Sequence, residues 1–285
     1  MTTSIGLVYD QIRPDERMLI DAAKREQVDL KLYDTNTTPF PVTGFPNGFE
    51  ITNVILQRCI SYFRGLHVTA TLESSGVLVV NSFEALSTAG NKLLASIRLA
   101  NSGIPTPKTF LAFTEESAIQ ALDKLGYPAV IKPVVGSWGR LVTLLKDQEM
   151  AKSIIESREY LHPIQQVYYL QEKIDRPGRD IRAFVIGDHV VAAMYRYSTD
   201  SEWRTNAALG GRVENCPVTP EIEEFSVRAA KSMGGGAFGV DLMESKNGLV
   251  VHEVNHTTEF KATVKATGID IPGLLIKYAV GMTRR

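Results

Sequence analysis

The strongest constraint on this chain is the alternation, over its first third, of apolar runs of strand length with amphipathic stretches of helix length. Ser4 to Asp10 carries Ile5, Leu7 and Val8 and reads as a buried strand ending in a polar residue. Pro14 then opens a helix in which Met18, Leu19, Ala22 and Ala23 fall at helical spacing. Val28 to Tyr33, Ile51 to Ile60 and Val77 to Ser82 read as further strands, which predicts a βαβ, Rossmann-like unit. The stretch 37–50 holds three prolines and two glycines and reads as a surface loop. After the first strand the sequence is Tyr9-Asp-Gln-Ile-Arg13, without a glycine fingerprint, so dinucleotide binding is disfavoured.

Further on the pattern changes. The spacing predicts one helix from Leu86 to Asn101, stopped by Ile104-Pro-Thr-Pro107, and a second from a Thr114 cap to Leu125. Strands are expected over Ala129 to Val135 and Leu141 to Lys146, paired as a hairpin around Gly136-Ser-Trp-Gly-Arg140. Val167 to Ile174, Asp180 to Ile186 and His189 to Tyr195 read as strands, the last two joined at Gly187-Asp188. Pro220 starts a helix ending near Gly234, Ala237 to Glu244 and Leu249 to Asn255 form another hairpin, and a last helix starts near Ile271. The expected division is an α/β domain over 1–86, a small antiparallel α+β subdomain over 87–169 and an α+β subdomain over 170–285.

Composition narrows the function. With 44% hydrophobic and 22% charged residues, the 285-residue chain is not disordered. A net charge of -1 provides no global field for nucleic acid or an anionic membrane, and no run approaches the ~20 apolar residues of a membrane span. Cys59 and Cys216 lack CxxC spacing and read as inert thiols of a reducing, cytoplasmic compartment.

The candidate chemistry centres on the last hairpin. Glu253 and Asn255 alternate onto one strand face. A two-residue Asn247-Gly248 loop would set Asp241 opposite Val254, whereas a three-residue loop with Gly248 left-handed would pair Asp241 with Glu253. Only the second register gathers three oxygen donors suited to Mg²⁺, and a solvated polar face fits these residues equally well. Lys132 ends an apolar strand just before Gly136, Ser137, Trp138, Gly139 and Arg140, a loop able to cradle phosphate, although it matches neither GxxxxGK[ST] nor GxGxxG. His256 falls on the face opposite Asn255 and suits a hydrogen-bonded structural role.

The succession Asn91-Lys92, Ile131-Lys-Pro133, Gly-Ser-Trp-Gly-Arg, Gln171-Glu-Lys-Ile174, Gly178-Arg-Asp-Ile-Arg182, Val240-Asp-Leu242 and Glu253-Val-Asn255 resembles the ATP-grasp ligases in order and spacing. Within them it is most similar to the ligases that attach α-aminoadipate to the amino-group carrier protein of lysine biosynthesis, with ribosomal-protein glutamate ligases more distant. The resemblance implies an ATP-grasp fold with an N-terminal pre-ATP-grasp domain, a central lid and a C-terminal catalytic subdomain. It implies that Lys92 and Lys132 meet ATP phosphates beneath the loop 136–140, that Glu172, Lys173 and Ile174 line the adenine pocket, and that Asp180 lies near the ribose. Asn206 would sit by the phosphates, and Asp241, Glu253 and Asn255 would hold two Mg²⁺. Arg196, Ala207 and Ala208, with Glu259, Phe260, Lys261, Ala262 and Thr263, would border the amino acid. Arg196 and Arg182 have the forked geometry for a carboxylate or acyl phosphate, or for a plain salt bridge.

The implied reaction joins the α-amino group of 2-aminoadipate to the γ-carboxylate of the C-terminal glutamate of an acidic, LysW-like carrier. Ala262-Thr263 stands where glutamate-using relatives carry Gly-Phe, which favours the longer substrate. Glutamate as substrate and a ribosomal protein as acceptor remain alternatives, as does a non-catalytic nucleotide-binding module. Self-association into a homo-oligomer is expected from the resemblance, and a basic patch around Arg58 and Arg64 is expected to dock the carrier.

Overall fold

The structure, a computed structural model, describes residues 4–44, 50–199, 205 and 211–283. Its first sheet is parallel, in the order β2-β1-β3-β4: β1 (Ser4–Tyr9), β2 (Asp29–Asp34), β3 (Val54–Gln57) and β4 (Leu78–Val80). Helices α1 (Pro14–Arg25) and α2 (Tyr62–Glu73) make the crossovers that parallel strands require. This is the expected βαβ unit.

The single helix expected over 86–101 is two, α3 (Phe83–Ala89) and α4 (Lys92–Asn101). Asn91 breaks it: its backbone is extended, and its side chain accepts hydrogen bonds from the N–H groups of Leu93 and Leu94. That cap sets Lys92 at the first helical position.

The second sheet has the order β5-β8-β6-β7 and is antiparallel throughout: β5 (Thr109–Ala112), β6 (Ala129–Lys132), β7 (Thr143–Leu145) and β8 (Tyr168–Glu172). Helices α5 (Glu115–Leu125) and α6 (Gln148–Glu159) cover it, with Ala118, Leu122, Ala151 and Ile155 fully buried in its core. β6 and β7 pair as expected, with the Gly-Ser-Trp-Gly-Arg loop between them. β8 runs across the division expected at 169/170 and pairs with β5 and β6.

The third sheet is antiparallel, in the order β11-β10-β9-β12-β13: β9 (Arg179–Ile186), β10 (His189–Tyr197), β11 (Val213–Asn215), β12 (Ala237–Ser245) and β13 (Gly248–Asn255). One face is apolar along its length, where Ile181, Val185, Val240, Leu242, Val251 and Val254 pack with α3, α4 and α7 (Pro220–Ser232). The other face is divided. At one end Phe184 and Ile186 join Ile5, Leu7 and Leu19 of the first domain with Phe260 and the closing helices α8 (Lys261–Thr267) and α9 (Ile271–Met282). At the other end the same alternation brings up Asp180, Arg182, Arg196 and Asp241. The charged half is the candidate site. No helix among the described residues is long and apolar enough to cross a membrane.

Candidate active site

Asp241 lies opposite Glu253, the register that gathers the oxygen donors, but the turn does not set it. Ser245 pairs with Gly248 across a two-residue Lys246-Asn247 turn, and Leu242 pairs with Val251. His252 is the extra residue of a β-bulge that shifts the ladder by one, so that Asp241 meets Glu253 and Gly239 meets Asn255. The Asn255 amide nitrogen is 3.4 Å from Asp241 Oδ2, so the three side chains share one face.

Cations compensate these carboxylates. Arg182 donates to both oxygens of Asp241 at 2.7 Å, and Arg196 adds a contact to Oδ2 at 2.9 Å. Arg196 also grips Asp180 through two hydrogen bonds of 2.7 and 2.8 Å, and Arg176 stands 3.4 Å from the same carboxylate. Lys92 Nζ lies 2.9 Å from Glu253 Oε1 and donates to the Gly136 carbonyl at 2.9 Å, tying α4, the loop and β13 together. Lys132 Nζ donates to Gln171 Oε1 at 2.6 Å.

The electrostatics follow from burial and these partners. Burial alone would raise the Asp241 carboxyl, but the Arg182 and Arg196 guanidiniums outweigh it and hold the group well below the usual carboxylate range. Glu253 is lowered the same way, Lys92 overcoming its burial. Burial brings the Lys132 ammonium down to about 8, despite the opposing pull of Glu253. Three carboxylates, Asp180, Asp241 and Glu253, thus sit among Arg176, Arg182, Arg196, Lys92 and Lys132. The surplus is positive, as a polyanion requires. The donor set also fits magnesium: two carboxylates and an amide, all hard oxygen ligands, with the carboxylates ionised at neutral pH.

The loop 136–140 leaves β6 and turns through left-handed backbone at Trp138 and Gly139 (φ 57° and 68°), with the Arg140 guanidinium 5.0 Å from the Trp138 ring centre. Between Ser137 and Trp138 and the first domain's Asp10, Ser61, Tyr62 and Arg64 lies an open cleft of about 470 Å³.

Other expected residues are dispersed. Glu172 ends β8 and accepts from the Lys108 N–H at 2.7 Å; Lys173 and Ile174 follow it. Asn206, Ala207 and Ala208 lie outside the described residues. Arg196 is 4% exposed and committed to Asp180 and Asp241, so it is not the free fork for a substrate that its position suggested. Phe260 and Thr263 are fully buried, Phe260 against Phe184 and the Thr263 hydroxyl toward Met194 Sδ at 3.4 Å. Glu259 is partly exposed and pairs with Arg13 at 2.8 Å, while Lys261 is exposed and Ala262 half-buried. Arg58 is a correction: it is 6% exposed, bound to Glu16 at 3.1 Å and to the Thr258 carbonyl at 3.0 Å, and forms no surface patch. Arg64 is exposed and donates to Asn36. His256 takes the structural role expected, bonded to the Thr257 hydroxyl at 2.8 Å. Both thiols are buried and free, and burial pushes Cys59 up to about 12.

A parallel first domain, an antiparallel sheet bearing Lys132 and a core sheet bearing paired acids within a cationic cluster are the architecture of an ATP-dependent carboxylate–amine ligase of the ATP-grasp class. The chain belongs to the RimK-like ATP-grasp family, whose domain matches residues 89–279, and residues 5–88 match the LysX pre-ATP-grasp domain. It is 35% identical over 277 residues to the glutamate–LysW ligase ArgX of Sulfolobus acidocaldarius, covering 96% of this chain and 97% of that protein. Identity to the α-aminoadipate–LysW ligase LysX of Saccharolobus solfataricus is 37% over 246 residues, covering 85% and 89%. The fold matches the crystal structure of a RimK domain ATP-grasp protein from Sphaerobacter thermophilus, with a TM-score of 0.77 at 22% identity, covering 98% and 100% of the chains.

Proposed function

We propose that this ligase joins the α-amino group of L-2-aminoadipate to the γ-carboxylate of the C-terminal glutamate of a LysW-like carrier protein. ATP is converted to ADP and phosphate by way of an acyl phosphate on the carrier. The observation that carries the reading is the positive surplus around Asp241, Glu253 and Asn255 on one bulged sheet face. Phosphoryl transfer asks a protein chiefly for positioning and charge neutralisation, and this cluster offers both without a nucleophilic side chain.

In this reading Asp241, Glu253 and Asn255 hold magnesium, with two ions as the full complement. Bound magnesium would supply charge neutralisation at the transferred phosphoryl group. Lys92 and Lys132 bind phosphate oxygens, and the loop 136–140 covers them and excludes water. The strand end at Glu172, with Lys173 and Ile174, borders the adenine, and Asp180 borders the ribose. Arg196 and Arg182 are positioning residues that fix Asp241 and keep it ionised. Glu259, Lys261 and Ala262 border the amino acid.

The length of the substrate is argued at residue 263. Thr263 is fully buried with its hydroxyl on Met194, and a phenyl ring there would have to displace that side chain. The preference for aminoadipate rests on the resemblance at Ala262-Thr263, and the one methylene that separates it from glutamate is worth about 1 to 3 kcal/mol. Glutamate is the second reading, favoured by the similarity to a glutamate–LysW ligase. ADP release by the purified protein should require both carrier and amino acid, with kcat/KM for 2-aminoadipate at least about tenfold above glutamate. Preference for glutamate would overturn the substrate, and ADP release indifferent to the carrier would overturn the partner.

A further inference from the structure

His252 is the side chain on the charged half of the core sheet that the proposed reaction leaves unused. Val251 and Val254 both point into the core, 0% and 1% exposed, so the bulge turns the two residues between them, His252 and Glu253, onto the charged face together. The His252 side chain is 10% exposed. Its Nε2 lies 3.9 Å from Asp180 Oδ2, beyond hydrogen-bond length, and neither ring nitrogen has a partner among the described residues. The charged groups facing it are Lys132 of the lid sheet and Asp180, Asp241 and Glu253 of the core sheet.

A buried structural histidine normally bonds a neighbour, as His256 does to the Thr257 hydroxyl four residues on. His252 instead leaves both nitrogens unsatisfied at the seam of the two sheets, and desolvating them is unfavourable unless a ligand completes the bonds. The three carboxylates that face it are already paired with Lys92, Arg176, Arg182 and Arg196, so with Lys132 the surroundings carry a net positive charge and the ligand they suit is an anion.

We propose that His252 is a nucleotide-binding residue whose imidazole hydrogen-bonds the nucleoside polyphosphate held between the lid and core sheets. The inference rests on the ATP reading above and adds a contact independent of magnesium.

Calorimetric titration with ADP, in Mg²⁺ and again in EDTA, tests it on His252→Leu and His252→Asn. Leucine should weaken ADP about tenfold, or about 1.4 kcal/mol, in both conditions, and leave the KM for the amino acid unchanged. Asparagine, which can donate and accept, should recover most of the affinity. Without nucleotide, His252→Leu should unfold at a higher temperature than the parent, because two unpaired polar atoms are removed. A merely structural histidine would lower stability when replaced and would not move ADP affinity. A folded leucine variant that binds ADP like the parent, or that loses affinity only in Mg²⁺, overturns the proposal. A parent protein that binds no ADP overturns the ATP reading itself and this inference with it.

Discussion

At the scale of single residues, Lys132 shows how burial couples binding to pH. Desolvation lowers its ammonium from the ordinary 10.5 to about 8, so the fold favours the neutral amine. Between those values the unfolded chain holds a proton that the folded chain has lost, and this lysine's contribution to stability therefore increases as pH rises from about 8 to 10.5. Affinity for phosphate should change in the opposite sense, since only the ammonium attracts it. Calorimetry in buffers of different ionisation heat should show ADP binding taking up a proton near pH 8 and weakening above it. Lys132→Met should abolish the proton uptake. The lysine and the three oxygen donors were legible in the sequence because each belongs to a short motif at fixed spacing. Arg58 was not, because its partners, Glu16 and the Thr258 carbonyl, stand 42 and 200 residues away and leave no local sign. His252 did leave a sign: apolar residues three apart in a strand, as in Val251-His-Glu-Val254, already require a bulge if both are to face one core.

At the scale of elements, caps and bulges decide where the chemistry lies. Asn91 ends one helix and begins the next, and its side-chain Oδ1 accepts two backbone N–H groups of α4 at 3.0 and 3.3 Å. Asn91→Ala should cost about 1 kcal/mol of stability in urea unfolding. It should also raise the KM for ATP while leaving that for the amino acid unchanged, because Lys92 is the next residue. The break was hidden in the sequence because Leu86 to Asn101 keeps helical apolar spacing straight through Gly90-Asn91. Most β-strands were legible from their apolar runs, whereas β5 and β11, short and without a buried apolar run of their own, were not. Helix α2 contains Gly65, at which an added Cβ would collide with the Gln57 amide, and tertiary packing rather than helix propensity accounts for it.

At the scale of the whole molecule, two polar ties clamp the first domain onto the catalytic sheet. Asn81, after β4, accepts from the Ala237 N–H and donates to the Ala237 and His256 carbonyls at 2.6 and 2.7 Å. Glu16 on α1 is fully buried and binds Arg58 and Arg13, and Arg58 in turn holds the Thr258 carbonyl. Burial pushes the Glu16 carboxyl up, but Arg58 and Arg13 outweigh it and lower the group overall. Its stabilising contribution is therefore complete above the ordinary carboxylate range and fades as pH falls through its depressed value. Glu16→Ala leaves the buried Arg58 guanidinium without a carboxylate, while Arg13 keeps Glu259, and should cost about 3 to 5 kcal/mol in urea unfolding at pH 7, with a smaller loss near pH 3. The parallel βαβ unit and the hairpins followed from the alternation of elements, while the strand order of the sheets and these clamps depend on the finished tertiary structure.

Lys92 touches all of this at once, with its helix against the core, one bond to the lid loop and one to Glu253. An enzyme without nucleotide is thus already carrying its own counterion where the proposed metal would sit. Magnesium held by Glu253 would take over the neutralisation that Lys92 now supplies, and the ammonium would then be free for a phosphate oxygen.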